Sequence, residues 1–221
     1  MKRVVIIGAG GLAREVADVF AACNQVRQDY QIVGFIDEDP ASHGKELNGL
    51  PVLGDLSWFD GVDKAEICIT TGIGSPASRR KVVNKALKQG LQFCNVIHPT
   101  AVVTPFISYG AGVVITAGCI LTNQIVIGNH VYINLDCTVG HDTTIGDFCN
   151  INPGVHVSGN VRLESGCDIG TGAAIIQGVS VGEWSVVGAG AVLTSSLPAN
   201  VTAIGAPARV IKTREEKWYD R

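Results

Sequence analysis

Five histidines stand in the chain, His43, His98, His130, His141 and His156, and one of them has an acid directly after it. His141 follows Gly140, lies two places past Val139 and precedes Asp142. A carboxylate beside an imidazole stabilises the protonated ring and fixes its tautomer, as a general base working near neutral pH requires. A second run able to do chemistry lies near the start, Gly8-Ala9-Gly10-Gly11-Leu12-Ala13. Glycines there let backbone amides approach a phosphate at a helix N-terminus. The seven cysteines form no CxxC pair, so neither a disulfide framework nor a zinc knuckle is expected.

These groups need elements to hold them, and the 221 residues change their rule partway. Up to about residue 95 strand and helix patterns alternate. Val4–Ile7 reads as a buried strand, the glycine run as a turn, and Leu12–Ala22 as a helix with Leu12, Val16, Val19 and Phe20 on one face. Ile32–Ile36 is a second strand, ending at Asp37-Glu38-Asp39-Pro40, and Ile67–Thr71 a third, ending at Gly72-Ile73-Gly74. Ser75 and Pro76 fit the N-cap and first position of a helix running to Gln89, stopped by Gly90. This order predicts an α/β domain over residues 1–95, Rossmann-like, with a parallel sheet. A full dinucleotide fold needs two mononucleotide halves, so one half suits one nucleotide diphosphate.

From Ile97 to Leu193 every sixth residue is apolar, and among those seventeen positions only Tyr109 departs from Ile, Val or Leu. Glycine often follows, as at Gly110, Gly128, Gly140, Gly146, Gly170, Gly182 and Gly188. A helix advances ~100° per residue and would scatter such positions over three faces, whereas strand alternation keeps them on one side. The positions four further on are small or apolar too, and Cys119, Cys137, Cys149 and Cys167 fall among them as small buried hydrophobes. A six-residue period is the signature of a parallel β-helix, here over residues 96–221 with a short C-terminal tail.

Composition narrows the function. Lys plus Arg is 17 against 20 for Asp plus Glu, a net charge of −3, which offers no basic field for nucleic acid. Nothing approaches a membrane span, and the apolar run near the N-terminus is too short for a secretory signal, so no membrane partner and a cytoplasmic location are expected. No metal is expected either. His130, His141 and His156 are 11 and 15 residues apart, out of register with a coil of ~18 residues built from three hexapeptides.

The whole chain resembles the nucleotide-sugar N-acetyltransferases of the sialic-acid and bacillosamine type, which join a small Rossmann-like domain to a left-handed β-helix. The likeness is carried by VIIGAGGLAREV at the start, FIDED after the second strand and IHPTA at the junction. VGHDTTIGDFCNINPGVHVSGNV in the repeats and IGAPAR near the end add to it. It implies a homotrimer with active sites between subunits, acetyl-CoA as cosubstrate, and transfer to the 4-amino group of a nucleotide-linked 4-amino-4,6-dideoxy sugar, with GDP-perosamine as the implied acceptor. It makes His141 the base, Asp142 its partner and the Gly159 N–H the oxyanion donor.

The same likeness assigns Gly10, Gly11, Leu12, Asp37, Glu38 and Gly74 to the nucleotide sugar, with Asn134 near the amino sugar. Asn150, Thr171, Gly188 and Ala189 fall to acetyl-CoA, and Arg209 and Lys212 to its phosphates. Many relatives have Ser-Gly-His where this chain has Gly10-Gly11-Leu12, and some have histidine in place of Asn150. Three other outcomes stay open: a UDP-linked acceptor, O-acetylation of a sugar hydroxyl, and a nicotinamide-dependent oxidoreductase built on the glycine turn.

Overall fold

The apolar run at the N-terminus forms the central strand of a parallel sheet. In the computed structural model, which describes residues 1–220, the chain divides into two units, Met1–Pro99 and Thr100–Arg221. In the first, β1 (Lys2–Ile7) has Val4, Val5, Ile6 and Ile7 all buried, as a strand covered on both sides must. It leads to α1 (Gly11–Val26), β2 (Tyr30–Ile36), β3 (Glu46–Leu47), β4 (Leu50–Gly54), β5 (Ile67–Thr71), α2 (Pro76–Lys88) and β6 (Gln92–Phe93). The sheet order is β3-β4-β2-β1-β5-β6, parallel throughout except for the β3–β4 hairpin. Strand order reverses between β1 and β5, and ligands of open α/β sheets bind beyond the strand ends at such a point.

The expected elements are present; β5 keeps its bounds, α2 ends at Lys88 with Gln89 as its cap, and others are longer. α1 runs four residues past Ala22, and β2 begins at Tyr30 rather than Ile32. Ser75 caps α2 by accepting from the Ser78 N–H, and Pro76 opens the helix. The β3–β4 hairpin is an addition to the expected elements, and its Asn48-Gly49 turn has both φ angles positive, as two-residue hairpin turns favour.

In the second unit, two-residue strands stack into three faces of a left-handed parallel β-helix. The first face holds Ile120–Leu121, Thr138–Val139, His156–Val157, Ala174–Ile175 and Val192–Leu193. The second runs from Ser108–Tyr109 to Ser180–Val181. The third takes Val114–Ile115, Tyr132–Ile133, Asn150–Ile151, Asp168–Ile169 and Val186–Val187, then Val201–Ile204, which pairs antiparallel with Arg209–Thr213. Neighbours in a face are 18 residues apart, as in Thr138 opposite His156. The sixth-residue positions from Ile115 to Leu193 are at most 2% exposed and form one aliphatic column.

The column starts later than the sequence suggested. Val103 is 37% exposed, in a stretch containing Pro105 that forms no strand, and Ile107 is the buried residue there. Pro105 has no N–H to give a ladder, which accounts for the irregular entry.

Two rules shape every corner. From residue 112 to 190, each sixth residue has a positive φ, fourteen in succession. Asn, Asp, His and Gln fill several of these corners, and short polar side chains tolerate that conformation best. The residue two places earlier lies against the next coil. A Cβ on Gly140, Gly146 or Gly170 would overlap backbone atoms of the corner above, and this close stacking is why glycine follows the apolar position so often.

Candidate active site

His141 and Asp142 occupy one such corner, on the edge between the first and second faces. Asp142 is its left-handed residue, φ 58°. That conformation folds its carboxylate back onto the preceding ring, and His141 Nδ1 lies 2.7 Å from Asp142 Oδ2. Both side chains are more than half exposed, 54% and 58%, so the imidazole faces outward rather than into the column. With Nδ1–H donating to the carboxylate, Nε2 carries the free lone pair.

The next coil brings Gly159 against that nitrogen. A Cβ built on Gly159 would stand 2.7 Å from His141 Nε2 and 2.8 Å from Cε1, so only a glycine leaves the ring its place. The corners are tied together by Asn160 N–H donating to the His141 carbonyl at 2.7 Å. Among the described residues the Gly159 N–H donates to no group of the protein. An imidazole with a free lone pair and an unspent backbone donor therefore sit side by side.

Sequence reading missed the residue behind this donor. Thr143 is completely buried, and its hydroxyl donates to the Ser158 carbonyl at 3.2 Å. That carbonyl belongs to the same peptide unit as the Gly159 N–H, so Thr143 holds the plane of the donor. Cys119, Cys137, Cys149 and Cys167 make the matching thiol contact in their own coils, for example Cys119 Sγ to the Asn134 carbonyl at 3.0 Å. A hydroxyl in a row of thiols and aliphatics was the available signal.

The other assigned residues lie elsewhere on the β-helix. Asn134, Thr171, Gly188 and Ala189 are on the edge between the third and first faces, a whole face away from His141. Thr171 and Ala189 are exposed there on stacked corners, Gly170 lying against the Ala189 backbone. Asn134 turns its Oδ1 to the Leu135 N–H at 2.8 Å. Asn150 is on the third face and 5% exposed, with its Nδ2 at 3.4 Å from Asp168 Oδ1. Arg209 and Lys212 are exposed on the last strand.

In the first unit the glycine turn closes the end of β1. The Cβ position of Gly10 is open, no acidic residue occupies the first turn of α1, and Gly10 caps that helix without a side-chain bond. The first amides of α1 thus meet no competing anion of their own. Asp37 at the end of β2 braces the turn, accepting from the Ala9 N–H at 2.8 Å and from the Asp39 N–H at 2.9 Å. Glu38 forms an ion pair with Lys85 at 3.5 Å. Gly74, after β5, faces Leu12, whose Cδ2 would be 3.8 Å from a Cβ there. The structure therefore brings Gly10, Gly11, Leu12, Asp37 and Gly74 together at the ends of β1, β2 and β5 and engages Glu38 with α2.

The remaining histidines have other surroundings. His130 is 4% exposed and stacked on Phe148, His43 Nε2 meets the Asp37 carbonyl at 2.7 Å, and His156 Nδ1 is 2.9 Å from Thr138 Oγ1. Among the described residues no three His, Cys, Asp or Glu side chains converge as metal ligands, and no helix is long and apolar enough to cross a membrane.

The PglD N-terminal domain model matches residues 3–86. No curated protein matched in a sequence comparison. Among solved structures, PerB from Caulobacter crescentus in complex with CoA and GDP-perosamine is 34% identical, with 95% of this chain and 97% of that one covered and a TM-score of 0.87. Two further forms of that perosamine N-acetyltransferase, each with CoA and GDP-perosamine, have one histidine replaced by asparagine or by alanine.

The acetyltransferase domain of PglB from Neisseria gonorrhoeae is 32% identical, covering 96% and 100%, with a TM-score of 0.87. It has also been solved in complex with acetyl coenzyme A. WeeI from Acinetobacter baumannii AYE is 31% identical, covering 94% and 99%, with a TM-score of 0.84. Likeness at this level over nearly the full length of each partner makes this chain a member of the left-handed β-helix nucleotide-sugar N-acetyltransferases, enzymes that use acetyl-CoA.

Proposed function

We propose that the protein transfers the acetyl group of acetyl-CoA to the 4-amino group of a nucleotide-linked 4-amino-4,6-dideoxy sugar, with GDP-perosamine as the favoured acceptor, in the cytoplasm. The observation that carries the proposal is the His141–Asp142 pair, its free Nε2 set against the unpaired N–H of Gly159. The GDP-perosamine found with PerB supports the acceptor.

In this reading the neutral amine attacks the thioester carbon. The carbonyl π electrons move to oxygen, and the Gly159 N–H receives the oxyanion, a contribution of roughly 10²–10³ for such a donor. His141 Nε2 takes the proton from the developing ammonium, and Asp142 stabilises the resulting imidazolium. A positioned base of this kind contributes ~10²–10⁴ in rate. Collapse of the tetrahedral carbon expels the CoA thiolate, which takes the proton from His141. The amide and free CoA leave, and the imidazole is restored.

The cluster at the ends of β1, β2 and β5 is assigned to the nucleotide diphosphate through Gly10, Gly11, Leu12, Asp37, Glu38 and Gly74. Asn150, Thr171, Gly188, Ala189, Arg209 and Lys212 are assigned to acetyl-CoA. Thr171, Gly188 and Ala189 lie on a different edge from His141, which supports a homotrimer in which one chain's base meets cofactor held by its neighbour.

The test is a panel of GDP-, UDP- and dTDP-linked 4-amino-4,6-dideoxy sugars with acetyl-CoA, following thiol release and product mass. Transfer to the amine of the GDP sugar with the highest kcat/KM is expected. A preference for UDP or dTDP would replace the nucleotide, acetylation of a hydroxyl would replace the bond formed, and no transfer to any of the three would overturn the reading.

A further inference from the structure

Beside the catalytic corner the first face carries a groove of about 260 Å³. It is lined by Ile120, Thr122, Thr138 and His156, with Gly140 and Ser158 at its rim. Those two rim residues immediately precede His141 and Gly159, so whatever fills the groove is continuous with the reacting centre. It is smaller than the ~300–1,000 Å³ of a whole ligand pocket, which suits one part of a substrate.

Its walls are chemically sorted. Ile120, Thr138 and His156 are the outward residues of three successive strands. Ile120 leaves an apolar surface 46% exposed at one end. At the other, His156 Nδ1 and Thr138 Oγ1 are 2.9 Å apart. That bond occupies Nδ1 and leaves Nε2 of this groove-lining ring without a partner among the described residues, a donor or an acceptor according to tautomer. A sugar hydroxyl can meet either. The strands of Ile120 and His156 are two spacings apart, roughly 9–10 Å, enough to admit the edge of a pyranose between them.

We propose that this groove is the sugar subsite and that His156, oriented by Thr138, sets its specificity. The inference rests on the acceptor class given above. In a 4-amino-4,6-dideoxy sugar the carbon bearing the amine is flanked by one carbon with a hydroxyl and another with a methyl group. With the amine at His141 Nε2, the hydroxyl meets His156 on the Gly159 side and the methyl meets Ile120 on the opposite side. A hydroxymethyl group in place of the methyl would press a hydroxyl onto Ile120 with no partner, so the groove selects the deoxy sugar.

The experiment compares His156→Ala, His156→Gln and Ile120→Ser with the full-length protein, measuring KM and kcat for both substrates on the best acceptor of the panel and on its 6-hydroxy analogue. His156→Ala is expected to raise the sugar KM about tenfold, the effect of losing one good hydrogen bond. The KM for acetyl-CoA and the pH profile of kcat should stay unchanged. His156→Gln should recover most of the loss, and Ile120→Ser should narrow the preference for the deoxy sugar. An unchanged sugar KM in His156→Ala, or a rise confined to acetyl-CoA, overturns the subsite while leaving the acetyltransferase reading intact. Failure of the unmodified enzyme to acetylate any panel member overturns both.

Discussion

Asp142 shows how one residue serves fold and chemistry together. Its position in the corner demands a left-handed backbone, which aspartate tolerates, and the same backbone returns its carboxylate to the His141 ring. The pairing was legible in the sequence because adjacency alone implies it. Replacing His141 by Ala or Asn removes the proton acceptor and should lower kcat by ~10²–10⁴. Nucleotide-sugar binding, followed by titration calorimetry, should persist. Near-normal turnover in either variant would take His141 out of the mechanism. Asp142→Asn should cost less, since the ring keeps its lone pair at Nε2 and loses only stabilisation of its charged form. The Thr143 hydroxyl stands out in its row of thiols and aliphatics, but its role was not legible, because the partner carbonyl is fifteen residues away and only the coil brings them together. Thr143→Val is expected to lower kcat several-fold with both KM values unchanged, and Thr143→Ser to retain activity. Equal losses in the two variants would leave the hydroxyl without a role in holding the Ser158–Gly159 peptide.

At the scale of the coil, the six-residue period predicts the interior because strand parity depends only on spacing. It does not reveal where the first coil becomes regular, since Val103 fits the spacing yet stands exposed beside Pro105. Corner packing explains the recurring glycines more fully than composition does. Gly140→Ala would drive a methyl into the Ser158–Gly159 backbone and displace the donor from His141. The variant should melt lower and lose most of its turnover, whereas Gly154→Ala, which meets no neighbour and strains only its own positive φ, should melt lower with kcat preserved. Equal kcat in the two would detach the corner from catalysis. The cysteine column behaves as packing. Hydrogen bonding within the Cys119–Cys137 and Cys149–Cys167 pairs, with burial second, pushes the thiols of Cys137 and Cys167 up from their ordinary range. Of the seven thiols, only half-buried Cys23 should react with a disulfide reagent at pH 8, and slowly, since burial and then Asp29 push its thiol up too, whereas all seven should react after unfolding. Fast modification of the native column would mean that the coils open.

At the scale of the molecule the decisive fact is that residues assigned to one reaction are spread over two edges of one coil stack. His141 and Gly159 share an edge, and Thr171, Gly188 and Ala189 share the next. The repeat pattern gives the edge of each residue, but edge-to-edge contact between copies depends on surfaces that no single-chain period encodes. A ring of three chains would join unlike edges at every interface, because head-to-tail contacts close a cycle. Light scattering should then give three times the 23.2 kDa chain mass. Complementation gives the sharper test. One inactive chain carries His141→Ala, and a second carries Gly188→Val with an intact base. Coexpressed in equal amounts, about a quarter of the interfaces would pair an intact base with an intact cofactor edge, and activity should return to that fraction. If both edges of a single chain built each site, every site in the mixture would keep one lesion. The mixture would then be as inactive as its parents, and the assembly argument would fail with the chemistry at His141 untouched.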